Sequence, residues 1–289
     1  MIIQAPAKIN LALDVLNKRE DGYHNIDIVT LPLKLHDIIE IVEGRENTTT
    51  HLTSDDLSLA CDETNLVYKA YRAVKKTYQF NSGFRIKIYK RIPTEAGLAG
   101  GSADAAAVIN GLSKLKKLNI TDQEKIEIGK TIGSDVPYCI FNKPCRIRGM
   151  GEQLSFIKVK KEYHVLIIKP EEGLSTGDVY KEADIIKGQR PDIENLIKGL
   201  EEGDDELIAK SMANALQKAA IHLVPRVKNL LDELRNEGLK MVMMSGSGSA
   251  IYALSNDKKK LEQLYKKYDA IDDVFPYLTK TIYSSCLFY

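Results

Sequence analysis

The chain has 289 residues, 44% of them hydrophobic and 28% charged, enough to bury large cores without disulfide or metal staples. Lys and Arg number 41 against 40 Asp and Glu, a formal charge of +1, which excludes attachment to nucleic acid or anionic lipid mainly by bulk charge. Length and composition predict two globular domains and exclude a disordered chain.

Four cysteines (Cys61, Cys139, Cys145, Cys286) lack CxxC spacing and read as reduced thiols. Five scattered histidines offer no metal cage. Pro6 and Lys8 interrupt the stretch where a signal peptide would need its apolar core, and no apolar run approaches the roughly 18 residues of a membrane span. The expectation is a cytoplasmic protein, monomeric or weakly dimeric, with no nucleic-acid or membrane partner.

In chain order, strand patterns fall at 2–15, 26–33 and 37–42. Residues 65–78 have helical spacing, with Leu66, Ala70, Ala73, Val74 and Thr77 on one side. Residues 84–90 alternate as a half-buried strand; a glycine-rich loop and an alanine-rich helix over 102–115 follow. The TDQE run at 121–124 predicts a capping box opening a helix that ends near Gly133. Beyond residue 158 the pattern predicts a strand at 163–169, helices at 192–200, 205–216 and 225–236, and strands at 239–244 and 250–254. A basic helix at 258–268 and a last strand at 278–284 complete it. Without strict β-α-β alternation, the class is α+β, with domains at 1–157 and 158–289.

Five segments carry possible chemistry. Residues 93–107, PTEAGLAGGSADAAA, run from a glycine loop into a helix, an arrangement that gathers free N–H groups and suits phosphate. A tight turn before a packed helix explains the same residues. Ser102 can cap that helix or turn its hydroxyl to a ligand or its magnesium; Asp104 lies in the first turn. No GxxxxGK[ST] loop is present. In the first strand, strict alternation puts Ile3, Ala5, Ala7, Ile9, Leu11 and Leu13 on one face and Lys8 and Asn10 on the other, as a substrate contact or a solvated face. Asp135, in GSDVP at 133–137, is either a helix N-cap or a carboxylate for a hydroxyl proton. SGSGS at 245–249 is either a hairpin turn or a second backbone lobe. DGYHN at 21–25 offers an aromatic ring and an imidazole to a base, or is an exposed loop.

The order PAKINLAL, P-x(3)-GL-x-GGS-x-DAA, GSDVP and SGSGS resembles the GHMP kinase superfamily along nearly the whole chain. DGYH, the RGMGE segment at 148–152 and the Ser175, Thr176 and Tyr180 stretch resemble its branch acting on cytidine-diphosphate methylerythritol. The resemblance implies a two-domain GHMP kinase fold, with an N-terminal ribosomal-protein-S5-like ATP-binding domain containing a left-handed crossover and a C-terminal ferredoxin-like domain. It implies ATP and Mg2+ as cofactors and phosphorylation of the methylerythritol 2-hydroxyl for isoprenoid synthesis. Lys8 and Asp135 are implied catalytic. The ATP loop is implied at Pro93, Thr94, Glu95, Ala96, Gly97, Leu98, Ala99, Gly100, Gly101, Ser102 and Ala103, and the adenine pocket at Asn65 and Leu66. Asn10 is implied to hold the acceptor alcohol, Tyr23 and His24 the cytosine, and Tyr180 its other face.

Ala99 and Ala103 replace the family's frequent glycine and serine, at little cost if φ stays negative. Ser249 and Ala250 replace a frequent Pro-Thr, which bears on the fine geometry of that turn. A kinase of mevalonate or homoserine would keep the loop but leaves Tyr23 and His24 unexplained. An RNA-binding module, suggested by Lys160, Lys161 and Lys258 to Lys260, conflicts with the near-zero net charge.

Overall fold

The computed structural model of the chain describes residues 1–283. Its first sheet is built on an antiparallel pair, β1 (Ile2–Lys18) and β2 (His24–Glu46), joined by the DGY turn. Sequence reading divides β2 into two strands at 26–33 and 37–42; the strand runs through, with His36 paired to Pro6 and Pro32 to Lys8 on either side of a pairing irregularity. The chain continues through β3 (His51–Ser54), α1 (Leu66–Tyr78), β4 (Ser82–Tyr89), α2 (Gly100–Leu115), α3 (Asp122–Lys130), α4 (Val136–Phe141), β5 (Cys145–Gly149) and β6 (Gln153–Phe156). β3 and β4 are parallel, with α1 as their crossover. α1 buries Val67, Ala70, Tyr71 and Val74, a stripe of helical period, and α3 opens on the expected capping box of Thr121 and Glu124.

The second sheet takes β7 (His164–Pro170). After it come α5 (Thr176–Ile185), α6 (Ile193–Glu202), α7 (Asp205–Ser211), β8 (Ala213–Asn214), α8 (Gln217–Leu223) and α9 (Arg226–Asn236). β9 (Met241–Met244), β10 (Ile251–Ser255), α10 (Lys258–Asp269) and β11 (Val274–Lys280) close the fold. The sheet order β11-β7-β10-β9, all antiparallel, is the ferredoxin-like arrangement. β8 returns to the first sheet, parallel to β1, so the two halves are stitched together.

Three expectations give way. The helix expected over 205–216 is α7, β8 and the start of a separate α8. The break is fixed by Asn214, whose buried side-chain amide donates to the carbonyls of Met244 (3.0 Å) and Gly246 (2.8 Å), contacts that no periodicity reveals. The last strand, placed by sequence at 278–284, is β11 at 274–280; Ser284 lies outside the described residues, as does Cys286. Pro276 masks that strand in the sequence, yet on a sheet edge its missing N–H is harmless.

The third concerns β1. Ile3 and Ala5 belong to the cluster that packs under α2, but Ala7, Ile9 and Leu11 belong to a second cluster shared with Val165, Ile167 and Tyr252 of the other sheet. Pairing irregularities between Pro6 and Lys8 and between Asn10 and Ala12 reverse the facing, so the single apolar face expected from alternation is two half-faces. Lys8 and Asn10 thereby face inward, 4% and 2% exposed, and are not on a solvated face. Cys139 and Cys145 are buried and Cys61 exposed, all as free thiols; among the described residues no helix is long and apolar enough to cross a membrane.

Asn214→Ala should strip two carbonyls of their buried donor and lower unfolding free energy by roughly 2–3 kcal/mol. A shift in denaturation midpoint in urea at constant slope is the measure.

Candidate functional site

A cavity of about 840 Å³ lies where the glycine loop of residues 93–99, the inward face of β1, α4, α5 and the turn at 245–249 converge. The structure brings to it Lys8, Asn10, Tyr23, His24, Leu66, residues 93–102, Asp135 and Tyr180. It does not bring Asn65 or Ala103. Asn65 caps α1, accepting from the Val67 N–H (2.9 Å) and donating to the Ala60 carbonyl (2.6 Å), and thus sets the position of Leu66. Ala103 is buried in the core under α2.

The loop ends in a left-handed residue. Ala99 has φ +59°, so the negative φ expected there is overturned: Ala99 is the helix N-cap residue and supplies the turn that glycine usually makes. Ser102 therefore does not cap; it sits in the first turn of α2 with its hydroxyl near Gly133, and Asp104 falls just past that turn. The first helical bond runs from the Ala103 N–H to the Ala99 carbonyl (2.9 Å). The N–H groups of Gly100, Gly101 and Ser102 precede it and point, with the helix dipole, toward the cavity. At Gly101 an added Cβ would meet only Leu66, at 3.7 Å, so a ligand can lie against this backbone.

Lys8 is the centre of the polar arrangement. Its ammonium donates to Asn10 Oδ1 (2.7 Å) and to the Gly97 carbonyl (2.9 Å), and stands 4.0 Å from Asp135 Oδ2. Asn10 Nδ2 in turn donates to the Thr30 hydroxyl (2.8 Å), which is fully buried. Asn10 is thus engaged at both ends of its amide and orients Lys8. Asp135 heads α4 without using its carboxylate as a cap, and its side chain is 41% exposed, open to the cavity. Gly151, in the RGMGE turn between β5 and β6, has φ +122° and lies against the Ser134 carbonyl, where a Cβ would be 2.2 Å away; that segment therefore buttresses the backbone before Asp135.

Sequence reading missed several supports. The Gly97 carbonyl also accepts the Ser245 hydroxyl (2.9 Å), and the Ser249 N–H donates to the Glu95 carbonyl (3.2 Å), so SGSGS closes directly on the glycine loop. Behind the loop, Lys90 bridges the buried carboxylates of Asp37 and Asp104 (3.0 Å to the latter), while Asp37 Oδ1 accepts the Ile92 N–H (2.8 Å). Burial alone would lower the Lys90 ammonium, but Asp104 and Asp37 outweigh it and hold its pKa up. Burial, then the Asp37 charge, push Asp104 well above the usual carboxylate range. A lysine seven residues before Gly97 and an Asp in the helix after the loop are visible in sequence; their partner Asp37 is not.

At the far end the His24 and Tyr180 rings lie 5.3 Å apart between centroids, tilted by 33°. That spacing is direct ring contact, while Tyr23 stands 66% exposed at the cavity edge. Burial raises the Tyr180 phenol, which stays neutral.

A two-lobed fold with a glycine loop feeding a helix, a buried lysine and an open carboxylate defines a small-molecule kinase of the GHMP type. Residues 65–143 match the GHMP kinases N terminal domain family and residues 196–271 the GHMP kinases C terminal family. The 4-diphosphocytidyl-2-C-methyl-D-erythritol kinase of Caldicellulosiruptor bescii is 40% identical over 259 residues, covering 89% of this chain and 90% of that protein. The kinase of the same name from Clostridium beijerinckii is 39% identical, covering 98% and 100%. The chain belongs to the GHMP kinase family, in its 4-diphosphocytidyl-2-C-methyl-D-erythritol kinase branch. A crystal structure of a 4-(cytidine 5'-diphospho)-2C-methyl-D-erythritol kinase superposes with a TM-score of 0.79 at 28% identity, over 98% of this chain and all of that one. A homoserine kinase from Cytophaga hutchinsonii gives 0.72 at 19% identity over 98% and 95%, a likeness of fold alone.

Gly97→Ala should be the most damaging single-methyl change at the loop. The residue has φ +68°, and a Cβ would fall 1.9 Å from the Ser245 carbonyl oxygen, a backbone atom that cannot swing aside. The expected outcome is a loss of turnover of at least about 100-fold together with lower thermal stability, read by ADP release and by calorimetry.

Proposed function

We propose that this cavity transfers the γ-phosphoryl group of ATP to the 2-hydroxyl of 4-diphosphocytidyl-2-C-methyl-D-erythritol, with Lys8 and Asp135 as the catalytic pair. The observation that carries the reading is the 4.0 Å separation of Lys8 Nζ and Asp135 Oδ2 beside the glycine loop. A hydroxyl oxygen hydrogen-bonded to both at about 2.8 Å fits that gap. Two of the three ammonium hydrogens are spent on Asn10 and Gly97, which leaves the third for such an oxygen.

The acceptor oxygen attacks the γ-phosphorus while the bond from that phosphorus to the β-bridging oxygen breaks, releasing ADP. The hydroxyl proton passes to the Asp135 carboxylate as the new O–P bond forms, late in the loose transition state typical of phosphoryl transfer. Lys8 holds the acceptor in line and offsets the charge that grows on the equatorial oxygens. The N–H groups of Gly100, Gly101 and Ser102 hold the β- and γ-phosphates, and Leu59, Leu66 and Pro93 line the side where adenine lies.

Among the described residues, no group of three or more His, Cys, Asp or Glu side chains forms a metal cage. Mg2+ keeps several waters and is carried chiefly by nucleotide phosphates, and the Ser102 hydroxyl would be its protein ligand here. When bound it would supply charge neutralisation of the nucleotide phosphates. Asp104 is withdrawn from that role by Lys90. Tyr23, His24 and Tyr180 receive the cytosine, with Tyr23 and Tyr180 over its faces and His24 at its edge.

Coupled measurement of ADP release with the cytidine compound, mevalonate and homoserine as acceptors tests the assignment. Turnover is expected only with the first, and comparable turnover of mevalonate would overturn the substrate. Asp135→Asn and Lys8→Ala should fold normally and lose at least about 100-fold in kcat. Either variant turning over at the parent rate removes that residue from the chemistry.

A further inference from the structure

The base end of the cavity holds a carboxylate that the mechanism above does not use. Lys18 and His24 face each other as the paired residues that close the turn end of the β1–β2 ladder. Tyr180 and Asp184 stand four residues apart on α5, hence on one face of that helix. Where the two elements meet, Asp184 Oδ1 lies 2.8 Å from His24 Nε2, Asp184 Oδ2 accepts from the Lys18 ammonium at 2.6 Å, and Tyr180 packs on the His24 ring. His24 is held on one face by a ring and on one edge by a charge, with its side chain only 8% exposed. Lys18, His24, Tyr180 and Asp184 all line the cavity.

The chemistry of that contact fixes a proton. The Lys18 bond, ahead of the His24 bond, holds the Asp184 carboxyl below its ordinary range, so it is ionised and can only accept. His24 Nε2 must therefore carry the hydrogen. In the neutral imidazole Nδ1 is then left with a lone pair, and among the described residues it has no hydrogen-bond partner. A cytosine presents a 4-amino group, a donor, to such an acceptor; uracil presents a 4-oxygen, whose lone pairs would oppose it.

We propose that Asp184 is a positioning residue for base selection: by fixing His24 as the Nε2–H tautomer, it leaves Nδ1 as the acceptor that takes the 4-amino group of cytosine and rejects uracil. The proposal rests on the cytidine substrate assigned above. Lys18 completes it by keeping Asp184 charged.

The test compares kcat/KM for the cytidine-diphosphate compound and its uridine-diphosphate counterpart, alongside 15N NMR of the His24 imidazole in the free protein. The parent enzyme should prefer cytosine by at least about 100-fold and show a protonated Nε2 with an unprotonated Nδ1. Asp184→Asn keeps the size but offers both a donor and an acceptor, so His24 should populate both tautomers and the preference should fall about tenfold or more. Asp184→Ala should do the same without any side-chain partner. A neutral His24 protonated on Nδ1 in the parent, or an Asp184→Asn enzyme with the parental base preference, overturns the role of Asp184 alone. A parent enzyme inactive on the cytidine compound overturns the substrate assignment, and this proposal with it.

Discussion

One carbonyl oxygen organises the site. Gly97 accepts from the Lys8 ammonium and from the Ser245 hydroxyl, each at 2.9 Å, so β1, the glycine loop and the β9–β10 turn meet at a single backbone atom. The approach is possible only because residue 97 has no side chain and takes positive φ, and because Gly246 opposite it is equally bare: a Cβ there would lie 2.8 Å from the same oxygen. Glycines in the two loops therefore serve two ends. Gly101 is open on its Cβ side except for Leu66 at 3.7 Å, whereas Gly97 and Gly246 leave room for each other's backbone. The contact joins sheet one to sheet two at the cavity, and the Asn214 amide repeats the join one layer further back.

The electrostatics follow from that geometry. Burying an ammonium is costly unless its hydrogens are satisfied, and Lys8 is satisfied mainly by neutral oxygens rather than by a closed ion pair. At 4 Å and an effective dielectric near 20, two unit charges attract by about 4 kcal/mol, less here because Asp135 is partly in water. The attraction does not draw the two into contact, since Asn10, itself anchored by Thr30, holds the ammonium back. The separation is thereby built into the strand and does not depend on ligand. The second buried lysine is arranged the opposite way: Lys90 is closed between two carboxylates and does structural work, tying β2 to the backbone that leads into the glycine loop.

Much of this was legible in the sequence, and the failures share one cause. Elements with a strong period or a capping residue, such as α1, α6 and α10, lie within a residue or two of their expected limits. The glycine loop, Lys8 and Asp135 stood out by residue type and order. Hidden was whatever depends on partners far along the chain: the bulge that turns Lys8 inward, the strand β8 that interrupts a helical stretch, the left-handed Ala99, and Asp37 and Thr30 among polar residues of an ordinary-looking strand. Alternation assumes a regular ladder, so a single irregularity defeats it while leaving composition unchanged.

The same distinction separates reaction from specificity. The loop, the first-turn amides of α2, Lys8 and Asp135 are held by the two sheets and by contacts between them, a scaffold that under the proposed assignment would constrain phosphoryl transfer but not which alcohol is brought to it. The residues facing the other end of the cavity come from a different source: the β1–β2 turn, which carries Tyr23 and His24, and α5, which carries Tyr180 and Asp184. α5 lies between β7 and the helices of the second lobe, and its first residue, Thr176, meets Ser247 of the glycine turn through their hydroxyls at 3.0 Å. A helix that touches the closing turn at its N-terminus and the imidazole at its C-terminal half would, under the proposed assignment, place recognition of a distal group and assembly of the phosphate site on one rigid element. Displacing it would loosen both together, which is the structural reason that remote binding energy can be converted into alignment at the reacting oxygen.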